Sequence, residues 1–140
     1  MPSVYYGSEW GIRGRKEDGD QALRPAVNLE EISAAPPVPG LCEYITFLGK
    51  CRREYACLRE GRYRELLLTN RQYAFARMNE TEAVITAVNN DDKEAQMYIP
   101  MPVRPAVITD LISGSEIAVP EGNLAVTLKA DGSALYALRW

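Results

Sequence analysis

At 140 residues, 46% hydrophobic and 25% charged, the chain has the composition of a folded globular protein with room for about one domain, which excludes a disordered chain. A net charge of −3 provides no basic field to hold phosphates and argues against a nucleic-acid partner. No histidine occurs, so Ser-His-Asp and Cys-His chemistry, histidine bases and nearly every transition-metal site fall away, and neither a metal nor a cofactor is expected.

Pro2-Ser-Val-Tyr-Tyr-Gly7 has the β-branched and aromatic content of a short buried strand. Tyr5 and Tyr6 alternate across it, and both are expected in the core. Its backbone N–H and C=O groups need partners, none is near in sequence, and they are expected upstream, outside this chain. Met1 is followed by neither a cationic nor an apolar leader region, so no signal peptide is expected. No apolar run approaches a bilayer-crossing length, so no membrane partner is expected and a cytoplasmic location is the default.

Residues 8 to 24 read as a loop, with Gly11, Gly14 and Gly19 among Arg13, Arg15, Lys16, Glu17, Asp18 and Asp20. Two readings stand side by side: a solvated surface loop, or a binding loop delivered to the mouth of a scaffold by the strand before it. The glycine spacing is not that of a phosphate-cradling loop. Ala34-Ala-Pro-Pro-Val-Pro-Gly40 is a stiff connector that denies a helix start until it ends.

From Leu41 the pattern turns helical: Leu41, Tyr44, Ile45, Leu48 and Tyr55 share one stripe, and Gly61 is placed to stop the helix. Cys42, Cys51 and Cys57 all fall in it, with no metal-like spacing and Cys42 opposite Cys51, so reduced thiols are expected rather than disulfides or zinc. Asn79-Glu80-Thr81 matches a glycosylation pattern, which is read as chance without a signal peptide. Beyond Gly61 the chain reads as strands at 63–69, 72–78, 83–88, 95–99, 106–112, 116–119, 124–128 and 134–139, separated by turn residues such as Asn89-Asn90-Asp91-Asp92, Ser113-Gly114, Glu121-Gly122-Asn123 and Asp131-Gly132. This predicts a mainly β chain: an antiparallel, Greek-key-like β-sandwich of about eight strands over 62–140, preceded by a strand, a loop and a helix over 1–61 that do not make a domain.

The order of these pieces resembles the end of alpha-amylase-like glycoside hydrolases, in which a (β/α)8 barrel is followed by an all-β domain C. Pro2-Ser-Val-Tyr-Tyr-Gly-Ser-Glu-Trp-Gly11 is similar to the family's eighth barrel strand, and Asp20-Gln-Ala-Leu-Arg-Pro25 to the loop after it, as in the neopullulanase, cyclomaltodextrinase and oligo-glucosidase branches. Leu48 to Tyr63 resembles the last barrel helix and its exit, while Tyr73-Ala-Phe-Ala-Arg77 and Thr109-Asp-Leu-Ile-Ser-Gly-Ser-Glu116 resemble domain C strands. The resemblance therefore implies that residues 1–61 are a remnant of a catalytic barrel and 62–140 a domain C.

The family's reaction is retaining hydrolysis or transfer, with one carboxylate as nucleophile and another as acid/base. The resemblance places these, and a third aspartate that holds the ring, on the fourth, fifth and seventh barrel strands, all upstream. Glu9 matches a non-catalytic position, so no catalytic residue is assigned and the chain alone is expected to be inactive. The resemblance assigns Asp20 and Arg24 to sugar contact near the scissile bond, the alternative being an ion pair that pins the loop. Trp10 is read as a sugar-stacking ring or as a plug at the barrel rim. The implied partner of the parent enzyme is an α-glucan or malto-oligosaccharide. The alternative role is a non-catalytic carbohydrate-binding or oligomerisation module, for which Tyr63, Tyr73, Phe75, Tyr98, Tyr136 and Trp140 are spread without evident clustering. An apolar helix stripe without its barrel also predicts self-association through residues 1–60.

Overall fold

The structure, a computed structural model, describes residues 3–104, 107–119 and 122–140. Pro2, Ala106 and Glu121, which begin the expected strands at 2–7 and 106–112 and the expected turn at 121–123, lie outside the described residues. The chain forms two compact units, Met1–Cys51 and Arg52–Trp140.

In the first unit Ser3 to Gly7 form no strand: the chain turns at Tyr6-Gly7 and enters a 3-10 turn, Ser8–Trp10. Tyr5 and Tyr6, expected in a core, are 54% and 47% exposed and lie against each other with ring centroids 4.9 Å apart. β-propensity stabilises a strand only through neighbours on a sheet, and among the described residues Ser3–Gly7 has no ladder partner. A second 3-10 turn, Lys16–Asp18, and two short helices, α1 (Asp20–Leu23) and α2 (Leu29–Ala34), follow. Helix α2 was not expected, yet its cap is written in the sequence. Asn28 Oδ1 accepts the Glu30 and Glu31 amides at 3.0 and 3.4 Å, and Asn28 Nδ2 donates to Glu31 Oε1 at 3.0 Å. Helix α3 (Leu41–Glu54) starts where expected, after the proline connector. Its stripe is only partly covered, with Tyr44 and Leu48 exposed.

The second unit begins with the last turn of α3. The helix was expected to run on to Gly61. It breaks at Tyr55-Ala56 and resumes as the single turn α4 (Cys57–Glu60). The cause is visible on both sides of the hydrogen bond that would join Cys57 N–H to the Arg53 carbonyl. The Cys57 amide donates instead to Glu82 Oε1 at 2.9 Å, and the Arg53 carbonyl accepts Arg59 Nη1 at 2.7 Å. Gly61 then ends α4 with φ −68°, so its lack of a side chain serves space, not dihedral freedom. A Cβ there would stand 2.4 Å from the Cys57 carbonyl oxygen and 2.7 Å from that of Met78.

Among the described residues eight strands follow at the expected places: β1 (Arg62–Leu68), β2 (Gln72–Met78), β3 (Glu82–Asn89), β4 (Ala95–Pro100), β5 (Val107–Asp110), β6 (Glu116–Ala118), β7 (Asn123–Leu128) and β8 (Ser133–Arg139). All pairings are antiparallel, in a six-stranded sheet ordered β1-β2-β3-β8-β5-β6 and a two-stranded sheet β4-β7. Strands β3 and β8 pair in one sheet while β4 and β7 pair in the other, the nested pattern of a Greek-key sandwich. The core lies between the sheets, with Ala74, Ala76, Ile85 and Tyr136 from one side and Met97, Ile99, Leu124 and Leu128 from the other. Strand β5 stops at Asp110, two residues earlier than expected, because its carboxylate turns the chain by accepting the Ile112 and Ser113 amides at 2.8 and 3.1 Å. Buried Asn89 ends β3 and ties two turns together: Nδ2 donates to the Lys93 and Lys129 carbonyls at 2.8 and 2.9 Å, and Oδ1 accepts Gln72 Nε2 at 2.9 Å.

Among the described residues there is no disulfide, no acidic or cysteine cluster fit to hold a metal ion, and no helix long and apolar enough to cross a membrane.

Candidate functional site

The loop at 8–24 in the first unit is built by glycines at the points where other residues would be strained or would clash. Gly7, Gly11 and Gly19 have φ of 85°, 78° and 89°, and the Ile12 amide returns to the Gly7 carbonyl at 3.0 Å to close the first turn. At Gly14 the loop passes so close to α1 that a Cβ would stand 2.0 Å from the Ala22 carbonyl oxygen. A recess of about 640 Å³ opens on this loop, lined by Ile12, Arg13, Gly14, Arg15 and Asp18. Arg13, Arg15 and Lys16 are exposed.

Asp20 and Arg24 sit at the two ends of α1, both exposed, with the Arg24 amide donating to the Asp20 carbonyl at 3.1 Å. Among the described residues no ion pair or hydrogen bond joins their side chains, so the pinning ion pair is not made. Trp10 ends the first 3-10 turn half-buried, and its carbonyl accepts the Val38 amide at 3.0 Å. Beside it, Glu9 Oε2 is buried with no hydrogen-bond partner, an uncompensated cost in an isolated loop.

The second unit holds a polar knot that the sequence did not reveal. Glu82 is buried at the start of β3. Its Oε1 accepts the Cys57 amide, and Oε2 meets Arg139 Nε at 3.4 Å. Arg139 also reaches Glu54 at 3.9 Å and lies over the Tyr55 ring, 4.8 Å from its centroid. Burial pushes the Glu82 carboxyl up, but the bonds from the Cys57 amide, Arg139 and the Cys57 thiol outweigh it and hold the group below its ordinary value. Burial, and then the Glu82 charge, raise the Cys57 thiol to about 11, so it is an inert structural group rather than a nucleophile. The knot fastens the helix exit to β3 and β8.

Aromatic clustering was missed as well. Tyr63, Phe75 and Tyr73 form a continuous group on the outer face of β1 and β2. The alternation of Tyr73 and Phe75 along β2 was visible; the pairing that brings in Tyr63 depends on strand register.

Comparison with known proteins places the sandwich. The family described as the neopullulanase-like C-terminal domain matches residues 63–136. A cyclomaltodextrinase from Geobacillus thermopakistaniensis is 25% identical over 139 residues, which are 98% of this chain and 23% of the relative. An Anoxybacillus alpha-amylase superposes with a TM-score of 0.83 at 24% identity, over 99% of this chain and 29% of its own. The alpha-amylase of Geobacillus thermoleovorans, solved in complex with acarbose, superposes with a TM-score of 0.82 at 20% identity, over 100% of this chain and 30% of its own. At those identities the two superpositions establish the fold alone. The chain spans about a quarter of the length of that cyclomaltodextrinase.

Proposed function

Because the chain belongs to the neopullulanase-like C-terminal domain family, we propose that it acts as the non-catalytic C-terminal part of a retaining, alpha-amylase-family glycoside hydrolase working on α-glucans or malto-oligosaccharides. The observation that carries this reading is the distribution of the likeness: nearly all of this chain corresponds to less than a quarter of a cyclomaltodextrinase. The residues that would cut the glycosidic bond then belong to the remaining three quarters, on barrel strands before residue 1.

In this reading the two units have separate tasks. The sandwich is a stabilising module with its own core. The loop at 8–24 is a rim of the substrate cleft, where the Asp20 carboxylate and Arg24 guanidinium hydrogen-bond sugar hydroxyls and the Trp10 ring covers a pyranose face. The missing Asp20–Arg24 ion pair leaves both side chains available for that work. The Ser3–Gly7 segment without a ladder and the orphaned Glu9 oxygen support the same view, since both groups would find partners in a barrel. The exposed face of α3 supports contact with a second copy of residues 1–60. Three thiols without a disulfide suit a reducing, cytoplasmic setting.

The test is an assay of the chain alone on maltodextrin and pullulan. Release of reducing sugar should not exceed that of buffer. Turnover that Glu9→Gln abolishes would overturn the proposal.

A further inference from the structure

The outer face of the β1–β2 hairpin carries a surface that the cleft-rim reading does not use. Ala74 and Ala76 point into the core, so Tyr73 and Phe75, which alternate with them, stand on the opposite face of β2. Tyr63 on β1 stacks on Phe75 with ring centroids 5.4 Å apart and planes at 29°; Phe75 and Tyr73 follow at 5.8 Å and 36°. Tyr63 is 55% exposed, and the other two rings are half-buried. Strand register sets Glu65 opposite Phe75 and Arg77 opposite Tyr63. Where the hairpin meets α4, an open groove of about 790 Å³ is lined by Glu60, Arg62, Tyr63, Asn79, Glu80 and Thr81 among others, so Tyr63 belongs to both the aromatic row and the groove.

We propose that this row and groove form a second, non-catalytic binding site for a linear α-glucan segment. The proposal rests on the α-glucan reading above and adds a site to it. A pyranose has an apolar C–H face and a rim of hydroxyls that both donate and accept, and this surface offers the matching pair: aromatic faces, then a groove with two carboxylates, two guanidiniums, an amide and a hydroxyl. The groove carries both signs of charge in equal number, Glu60 and Glu80 against Arg62 and Arg64, which suits a neutral polyol better than a phosphate. Charge at the centre is also the opposite of the charge-depleted core of a stable protein interface. The three rings are tilted against one another by 29° and 36°, so they make no single flat platform of the kind that suits the flat ribbon of a β-1,4-linked chain.

The deciding experiment is titration of the isotope-labelled chain with maltoheptaose, followed by amide shifts, with cellohexaose in parallel. Saturable shifts at Tyr63, Phe75 and Glu80 are expected with maltoheptaose, and Tyr63→Ala should weaken them about ten-fold or more, equivalent to about 1.4 kcal/mol. Tyr63 is exposed enough that this variant keeps the fold, which its unchanged remaining spectrum verifies. Asp20→Ala should leave the shifts on β1 and β2 as they are. The proposal is overturned if maltoheptaose leaves those amides unmoved, if Tyr63→Ala binds as tightly as the parent chain, or if cellohexaose binds equally well. Such a failure is distinct from that of the reading it rests on, because turnover by the chain alone would sink that reading while leaving a Tyr63-dependent titration intact.

Discussion

Glu82 is the residue on which the helix exit depends, and its protonation sets a pH signature. Its folded-state carboxyl lies below the ordinary value, so its contribution is present above the ordinary carboxylate range and is lost as pH falls through the folded value. At the alkaline side the Cys57 thiol, raised to about 11, and the buried Tyr136 hydroxyl, raised to about 12 by burial and then by Asp110, have the opposite linkage. Their contributions are complete below the ordinary values of 9.0 and 10.0 and are lost as pH climbs through about 11 and 12. Glu82→Gln should therefore flatten the acid limb of a stability–pH curve and bring the thiol titration down, since the carboxylate that opposes it is gone. Glu82→Ala, which also strands the Cys57 amide, should cost about 1–3 kcal/mol by chemical denaturation. An acid limb unchanged in Glu82→Gln would remove Glu82 from this role. None of this was legible in the sequence, because Glu82 and its partners Cys57 and Arg139 are 25 and 57 positions apart.

At the scale of elements, local pattern sufficed wherever an element is stabilised by its own alternation and its own turns. All eight strands were readable, since period-two patterning and turn residues are local and the sheets that pair them lie within residues 62–140. The errors arose where a partner decides. Ser3 to Gly7 has strand composition without a ladder, and the Glu82 carboxylate breaks the helix at Tyr55-Ala56 by capturing the Cys57 amide. Helix α2 was missed although Asn28 and Glu31 have the spacing of a cap, because six residues beside a proline connector carry little periodicity. Asp20, Arg24 and Trp10, proposed above to line a cleft, are marked out by family likeness and not by pattern, since no local periodicity or spacing singles them out. Helix α3 gives the element-scale prediction. With Tyr44 and Leu48 exposed on its stripe, the chain should self-associate in sedimentation at micromolar concentrations, and Leu48→Glu should return it toward monomer. A monomer at every concentration in the parent chain would contradict this.

Under the function proposed above, the whole molecule joins a sandwich with its own core to a segment whose partners would lie outside this chain. The sandwich has a core closed from both sheets, while the segment before α3 has short helices, exposed tyrosines and an orphaned carboxylate oxygen. Stability should be distributed accordingly, because local opening follows the number of buried contacts that hold a region shut. Native-state hydrogen exchange on the intact chain tests this most directly. The amides of β3 and β8 should exchange only through global unfolding, and those of residues 3–34 should exchange at least about 100-fold faster through local opening. Protection of residues 3–34 equal to that of β3 would contradict the account, since that segment would then be as complete within this chain as the sandwich is.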